Sequence, residues 1–243
     1  MTKSRFLTDN NKIVVEKTWR QLQVYHRQPF HTELPTLLSN IFANPDAALT
    51  RGDLLKDGDK TTLAKITQGK ITLVIKRYNT LNVWHALLFC LRTSRAHRCW
   101  VYAHVFKESG LDTPEPVAMI EQRFGPIKRR AYYIMQYRHG DPGRTIILQA
   151  SAQELKRYLD AMANDLARLH RKLITHGDLK DSNWLWDENR WVWLDLDSAR
   201  QHTQLRSFTI TWFRDMRRLL RNWQHRPDIL QLAKRVIPWT ANF

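Results

Sequence analysis

One short segment of the chain combines the residue types that phosphoryl transfer needs, at a spacing that suits a single site. Residues 176–183 read HGDLKDSN, and Asp195 follows after a short apolar stretch. Moving a phosphoryl group requires a carboxylate aimed at the acceptor hydroxyl, a cation on the phosphates and oxygen ligands for a metal ion. Because several independent spacings agree, we interpret this segment as a phosphoryl-transfer loop rather than a set of solvated polar residues.

Each polar side chain of this segment can be given a role from its chemistry. Asp178 is the predicted catalytic carboxylate, and Lys180 is predicted to reach the γ-phosphate and spread its charge. Asn183 and Asp195 offer oxygen ligands for Mg²⁺, a hard cation that prefers them. Leu185, two residues after Asn183, is predicted to form part of the floor under the adenine ring.

Residues elsewhere in the chain are predicted to bind the nucleotide phosphates. Lys76 ends a β-rich run, VIK, from which its ammonium could bridge the α- and β-phosphates. Gly58 lies in a turn, DGDKTT, that has one glycine and so does not match a glycine-rich phosphate loop. That turn is either a cover over the phosphates or a plain hairpin turn, and the sequence leaves both open. Gln136 and Tyr137, at the end of a predicted strand, are also assigned to nucleotide binding.

The elements that must position these residues fall into two halves. The first half is rich in predicted strands, with a helical region at Asn82–Ser109 in two pieces. Residues 1–45 are read as an N-terminal extension without assigned structure, and an Asn44-Pro45-Asp46 turn ends it. The predicted strands are Leu49–Lys56, Thr61–Thr67, Ile71–Lys76, Val117–Gln122 and Ala131–Tyr137. This order of strands and helix is that of the small lobe of a kinase.

The second half is predicted to be mostly helical. Ser151 and Glu154 form a capping-box signature at the start of one helix. Its apolar residues recur at helical spacing and predict a buried stripe, which consists of Leu155, Leu159, Met162, Leu166 and Leu169.

Two further elements complete the predicted second half. Residues 184–186 and 191–194 are predicted to form a hairpin. A last helix is predicted at Thr211–Gln224, where Asp215 is expected to anchor the catalytic loop by hydrogen bonds. Its apolar face is predicted to contain Phe213, Met216, Leu220 and Trp223, opposite a face rich in arginine.

Composition limits the classes of function. The formal net charge of +16 attracts polyanions, which include nucleic acid, acidic lipid surfaces and phosphorylated substrates, or it reflects a generally basic surface. No nucleic-acid recognition element accompanies the charge, so no specific nucleic-acid partner is expected. Two cysteines without metal-binding spacing predict reduced thiols in the cytosol. No secretory signal is evident, and the longest nearly apolar run, Val83–Leu91, is too short to span a bilayer.

These residues resemble the protein-kinase-like superfamily and, more narrowly, the lipopolysaccharide kinase family (the Kdo/WaaP and InaA-like group). The narrower resemblance rests on VIKRY at residues 74–78, on the stretch from Ser94 through GLDTPEP at 110–116 to Glu121, and on HGDLK with DLDSAR at 195–200. It implies an α+β, two-lobed kinase fold in one domain over residues 1–243. The small β-rich N-lobe with one main helix would span 46–137, and the shortened, mostly helical C-lobe would span 138–243.

The same resemblance implies a function and a location. ATP and Mg²⁺ would serve transfer of the γ-phosphoryl group to a sugar hydroxyl of the lipopolysaccharide inner core or a related glycolipid. The enzyme would act in the cytoplasm, peripherally at the anionic cytoplasmic face of the bacterial inner membrane. By this resemblance Asp178 is the catalytic aspartate, Asn183 and Asp195 hold the metal, and Lys76 binds phosphate.

The chain also departs from the usual kinase pattern. The helix after the lysine strand lacks the glutamate that normally pairs with that lysine, since residues 95–100 read RAHRCW. Gly177 stands where regulated protein kinases carry arginine, and the segment 198–211 is short, which favours a small-molecule or glycolipid acceptor. Two alternatives stay open: another kinase of the same fold that acts on proteins or small alcohols, and a catalytically weak, pseudokinase-like binding module.

Overall fold

The computed structural model describes residues 4–79 and 93–240, which divide into two compact units. The described residues of Met1–His104 and Pro114–Arg138 form the first, here named the β-unit. Val105–Thr113 and the described residues of His139–Phe243 form the second, named the helical unit. No helix in residues 4–79 and 93–240 is both long enough and apolar enough to cross a bilayer. The predicted run Val83–Leu91 lies outside the described residues.

The β-unit is built on one antiparallel sheet of seven strands. Their order across the sheet is β1-β2-β6-β7-β5-β4-β3. The strands are β1 (Ile13–Lys17), β2 (Gln21–His26), β3 (Asp53–Asp57), β4 (Thr61–Gln68), β5 (Ile71–Tyr78), β6 (Pro116–Phe124) and β7 (Ile127–Gln136).

Helices α1 (Leu34–Ala43) and α2 (Pro45–Arg51) pack on one face of this sheet. Leu37 and Ile41 of α1 share a buried cluster with Ile75 of β5 and Ile134 of β7. Side chains alternate between the two faces of a strand, so Lys76 lies on the opposite face. Helix α3 (Arg95–Glu108) contacts that opposite face, where the Cys99 Sγ lies 3.0 Å from the hydroxyl of Tyr78.

The helical unit is built from four helices and short strands. Helices α4 (Gly143–Gln149), α5 (Ala152–Arg171), α6 (Leu205–Arg221) and α7 (Pro227–Val236) accompany strands β8 (Asp141–Pro142), β9 (Ile174–Thr175), β10 (Trp184–Asp187), β11 (Arg190–Trp193) and β12 (Arg200–Gln201). The capping box of Ser151 and Glu154 starts α5 as predicted, and all five residues of its predicted stripe are buried. The predicted hairpin is confirmed as β10 and β11.

One strand prediction and one turn prediction in the first half were wrong. The predicted strand Leu49–Lys56 begins only at Asp53, because its first residues belong to α2. The side chain of Asn44 caps α2 by accepting a hydrogen bond from the backbone N–H of Ala47, and Pro45 occupies the first turn. The residues Asn44-Pro45-Asp46, which were predicted to form a turn, are therefore the start of a helix, a position where asparagine as N-cap and proline in the first turn are both favoured.

The last predicted helix was wrong in its bounds and in one residue of its buried face, whereas Met216, Leu220 and Trp223 are buried as predicted. It spans Leu205–Arg221 instead of 211–224, and Phe213 is 42% exposed. Trp212 and Leu219 are buried in its place. Asp215 is buried too, and its carboxylate turns inward to accept hydrogen bonds from backbone N–H groups.

Candidate active site: a catalytic loop and a lysine strand

Asp215 of helix α6 anchors the loop that carries Asp178 through hydrogen bonds to its backbone. One carboxylate oxygen of Asp215, Oδ2, accepts the backbone N–H of His176 at 2.9 Å and that of Gly177 at 3.0 Å. The other oxygen, Oδ1, lies 3.1 Å from the same Gly177 nitrogen. Hydrogen bonds to an ionised carboxylate are stronger than those between neutral groups, so they fix the backbone next to Asp178. The predicted anchoring role of Asp215 is confirmed.

Holding the loop in this way costs free energy at neutral pH. Burial raises the pKa of Asp215 from 3.8 to about 6, although its two backbone hydrogen bonds act to lower it. Burial of the ionised Asp215 therefore lowers the stability of the folded protein at neutral pH, while its hydrogen bonds fix the geometry of the loop.

Asn222, at the end of the same helix, holds the far side of the loop. Its side-chain Nδ2 donates to the carbonyl of Leu179 at 2.9 Å, and its Oδ1 accepts the backbone N–H of Asp181 at 3.3 Å. Asp215, Arg218 and Asn222 follow at spacings of three and four, which aligns them on one edge of α6. Sequence reasoning missed Asn222 and treated Arg218 only as part of a basic face. The polar residues Asp215, Arg218 and Asn222, which recur at helical spacing beside the apolar face, were the sequence signal that could have predicted these contacts.

Gly177 is a steric requirement of the loop. Its φ of +86° is in the left-handed region, which glycine adopts without strain. A Cβ at this position would lie about 2.4 Å from the carbonyl oxygen of Ser198. The close approach of two backbone segments therefore explains the glycine directly before Asp178.

His176 ties the loop to the segment that carries Asp195. The imidazole is buried, and its Nε2 donates to the carbonyl of Leu194 at 3.0 Å, while Nδ1 faces the backbone N–H of Asp178 at 3.4 Å. Burial lowers the pKa of His176, against the nearby charges of Asp195 and Asp178. A neutral imidazole is the form that can donate with one nitrogen and accept with the other.

Three of the predicted site residues meet directly. The ammonium of Lys180 lies 2.8 Å from Oδ2 of Asp178. The side-chain amide nitrogen of Asn183 donates to the Asp178 carbonyl at 2.9 Å and faces its Oδ2 at 3.3 Å. Asp178 keeps 27% of its side chain exposed, so the carboxylate that these residues orient can be reached from solvent.

Asp195 and Leu185 both belong to the helical unit. The backbone N–H of Leu194 donates to the carbonyl of Asn183 at 2.8 Å, which brings the residue before Asp195 beside the end of the loop. Asp195 itself has a left-handed φ of 56°, a conformation that aspartate tolerates better than most residues. Leu185 is half-buried on β10, opposite Val192 of β11.

The chemistry of Asn183 and Asp195 fits a magnesium ion. The amide nitrogen of Asn183 donates to Asp178, so its Oδ1, which the Ser182 hydroxyl contacts at a long 3.5 Å, is the atom that would bind a metal. Asp195 would supply a carboxylate. The described residues contain no group of three or more His, Cys, Asp or Glu side chains placed to hold a metal. Mg²⁺ in kinases needs only one or two protein ligands of this kind, because phosphates and water supply the others.

The predicted phosphate-binding lysine is in the β-unit. Lys76 is only 6% exposed, and its Nζ lies 5.1 Å from the ring centre of Tyr78. The strand register pairs Tyr78 with Ala131 and Ala131 with Glu121, so Glu121 lies on the sheet face of Lys76. Burial alone would raise the pKa of Glu121, but hydrogen bonds from Ser94 and Arg123 outweigh it and lower the pKa. Residues 95–100 of α3 contain no acid, whereas the sheet face that carries Lys76 contains Glu121.

The turn with Gly58 is held by a residue that sequence reasoning missed. The side-chain amide of Asn79 donates to the carbonyls of Gly58 at 3.1 Å and Asp59 at 3.2 Å. A Cβ on Gly58 would make ordinary contacts, so this turn does not require glycine. Gln136 is exposed and Tyr137 half-buried at the end of β7. The nucleotide-binding roles of Gly58, Gln136 and Tyr137 stay predictions.

The fold is that of the protein-kinase-like class. Residues 58–238 match the lipopolysaccharide kinase (Kdo/WaaP) family, and the chain belongs to that family. Among solved structures it is similar to WaaP in complex with acyl carrier protein, at 16% sequence identity and a TM-score of 0.51. That match covers 82% of this chain and 90% of the WaaP chain, and it supports the kinase-like fold. No curated protein matches the sequence.

Proposed function

We propose that this protein is an ATP-dependent kinase that transfers the γ-phosphoryl group to a sugar hydroxyl of the lipopolysaccharide inner core. The observation that carries the proposal is Asp178, which Lys180 and Asn183 orient on a loop anchored by Asp215. Membership of the lipopolysaccharide kinase family supports the acceptor class.

The residues of the helical unit have distinct roles in the proposed reaction. Asp178 accepts the proton of the acceptor hydroxyl as that oxygen bonds to the γ-phosphorus, and the bond to the bridging oxygen breaks with its electron pair leaving on ADP. Lys180 is released from Asp178 and neutralises charge on the transferred group. Asn183 and Asp195 would hold Mg²⁺, which supplies positive charge to the β- and γ-phosphate oxygens when bound.

Residues of the β-unit would bind the nucleotide. Lys76 is the proposed contact to the α- and β-phosphates, and the turn with Gly58 is proposed to cover the phosphates. Gln136 and Tyr137 are also proposed to contact the nucleotide. On the helical unit, Leu185 is the proposed apolar contact to adenine. A Lys76→Met variant should raise KM for ATP more than it lowers kcat, since it removes a ground-state contact as well as transition-state charge.

Mass spectrometry of lipopolysaccharide from a deletion strain tests the acceptor. We expect a core lighter by one phosphoryl group, restored by the wild-type gene but not by a gene that encodes Asp178→Asn. An unchanged core would instead favour a kinase of the same fold with another acceptor. Calorimetric titration with Mg²⁺-ATP separates both cases from a binding module, because a kinase must bind ATP at millimolar concentration.

The outer face of α6 supports a peripheral membrane location. Ile210 and Phe213 are exposed there beside Arg206, Arg214 and Arg217. Apolar side chains among arginines favour an anionic lipid surface. Sedimentation with phosphatidylcholine vesicles, with and without phosphatidylglycerol, should show binding only to the anionic vesicles. Phe213→Ser should weaken this binding, whereas the control Phe30→Ser, at an exposed aromatic residue of the β-unit, should not.

A carrier protein is a second proposed partner. The similar WaaP structure contains an acyl carrier protein, and the net charge of +16 favours acidic partners in general. Size-exclusion chromatography with purified acyl carrier protein should give a co-eluting complex that weakens with added salt. Separate elution at low salt would remove this partner from the proposal.

A further inference from the structure

A second cation contacts the catalytic carboxylate from helix α6. The Nε of Arg218 lies 3.5 Å from Oδ1 of Asp178, the oxygen opposite the one that Lys180 contacts. Arg218 keeps 38% of its side chain exposed, so its guanidinium can be reached by a ligand at the loop. Both oxygens of Asp178 therefore face a cation.

The contact from Arg218 is not needed to hold the loop. Asp215 and Asn222, on the same edge of the helix, bind the loop backbone at distances of 2.9–3.3 Å. An N⁺–H···O⁻ hydrogen bond of good geometry is about 2.7–2.9 Å long, so the Arg218 contact is long, and ion pairs this exposed add little stability. Arg218 is thus a loosely held cation beside the group that must accept the acceptor proton.

One carboxylate oxygen of Asp178 must be free when the acceptor arrives. Lys180 leaves Oδ2 for the transferred phosphate in the proposed reaction, but the amide nitrogen of Asn183 still faces that oxygen at 3.3 Å. Oδ1 becomes free only if Arg218 finds another anion. Arginine forms forked hydrogen bonds with carboxylate and phosphate groups, so an anionic group on the acceptor is a fitting replacement partner.

We propose that Arg218 is a specificity-determining residue that binds an anionic group of the acceptor, next to the hydroxyl that is phosphorylated. Binding of that group exchanges Arg218 from Asp178 to the acceptor and exposes Oδ1 to the hydroxyl. Neutral acceptors leave the ion pair in place and react slowly. This inference rests on the proposed function, and it names the acceptor class as a sugar with a neighbouring phosphate or carboxylate.

Enzyme variants combined with modified acceptors test this exchange. The full-length wild type, Arg218→Gln and Arg218→Lys are assayed with Mg²⁺-ATP on purified core oligosaccharide in three forms. One form is untreated, one is enzymatically dephosphorylated, and one has its carboxylates reduced to alcohols. Arg221→Gln is the matched control, because it removes an exposed arginine one turn further along α6.

On the untreated oligosaccharide, Arg218→Gln should lower kcat/KM by roughly 10- to 100-fold, the usual effect of losing a hydrogen bond to a charged group. The kcat/KM of Arg218→Lys should lie between those of the wild type and Arg218→Gln, and the kcat/KM of Arg221→Gln should equal that of the wild type. The modified acceptor that lacks the recognised anion should slow the wild type by a similar factor and give no further loss with Arg218→Gln. Whether the dephosphorylated or the reduced form behaves in this way identifies the anion as phosphate or carboxylate.

Other results overturn the inference. If Arg218→Gln lowers kcat/KM by the same factor on all three acceptors, Arg218 does not read the charge of the acceptor. If Arg221→Gln causes an equal loss, the effect is one of general positive charge. If the wild type transfers phosphate to none of the three forms, the proposed function fails, and the inference fails with it.

Discussion

Replacing Asp215 with asparagine isolates the free-energy cost of the buried charge that holds the loop 176–183. Asparagine keeps one oxygen, which can accept the N–H groups of both His176 and Gly177 as Oδ2 does now. It carries no charge at any pH. The comparison of wild type with Asp215→Asn therefore removes the proton equilibrium and retains an acceptor for both hydrogen bonds.

The magnitude follows from the raised pKa. Asp215 has a pKa of about 6 in the folded protein and an ordinary value of 3.8. Between these values the folded state binds more protons than the unfolded state, so the stabilisation is complete below pH 3.8 and is lost as the pH rises through 6. Integrated from pH 5 to pH 7, the wild type should lose about 1 kcal/mol relative to Asp215→Asn.

Urea unfolding of both proteins at pH 5 and pH 7 measures this difference. Asp165 also has a pKa raised to about 6 by burial, but it is present in both proteins and cancels. Asp215→Ala removes the acceptor as well, and leaving the buried N–H of His176 and the partly buried N–H of Gly177 unpaired should cost about 2 kcal/mol or more at both pH values. A free-energy difference between wild type and Asp215→Asn that stays constant, or moves the other way, would refute this account of the loop anchor.

Two further substitutions test the loop and its supports. Gly177→Ala should destabilise the protein by about 2 kcal/mol or more and lower kcat, because a side chain there is strained at positive φ and meets the Ser198 carbonyl; thermal unfolding and steady-state kinetics should show both losses. Asn222→Ala loses its hydrogen bonds to Leu179 and Asp181, so it should cost about 1–2 kcal/mol in urea unfolding and lower kcat with little change in KM for ATP. Equal kinetics for either variant and the wild type would contradict the proposed support of the loop.

Local sequence patterns predicted the parts of the fold that depend on near neighbours. The capping box at Ser151, the buried stripe of α5 and the hairpin β10–β11 each have their signal within a few residues. The loop 176–183 was recognised for the same reason, since the chemistry of phosphoryl transfer is concentrated in eight consecutive residues.

Features that depend on distant contacts were missed. Strands β1 and β2 occur in the first 45 residues, and β2 joins the sheet through β6, with Val24 opposite Met119. The buried face of α6 contains Met216, Leu220 and Trp223 as predicted, but Phe213 is exposed. Asp215, a charged residue, is buried and binds the loop. Asn222 and Asn79 stabilise loops that are far away in sequence, and a polar residue at a helix or strand end does not reveal such a partner.

The central claim, that Asp178 accepts the proton of a sugar hydroxyl during phosphoryl transfer, is tested most directly by one comparison. Wild type and Asp178→Asn are assayed for transfer from Mg²⁺-ATP to purified core oligosaccharide, with Asp160→Asn as a control at an exposed carboxylate of α5. Asp178→Asn should lower kcat by a factor on the order of 10²–10⁴ while it still binds Mg²⁺-ATP, and Asp160→Asn should equal the wild type. Transfer by Asp178→Asn at the wild-type rate would contradict the account.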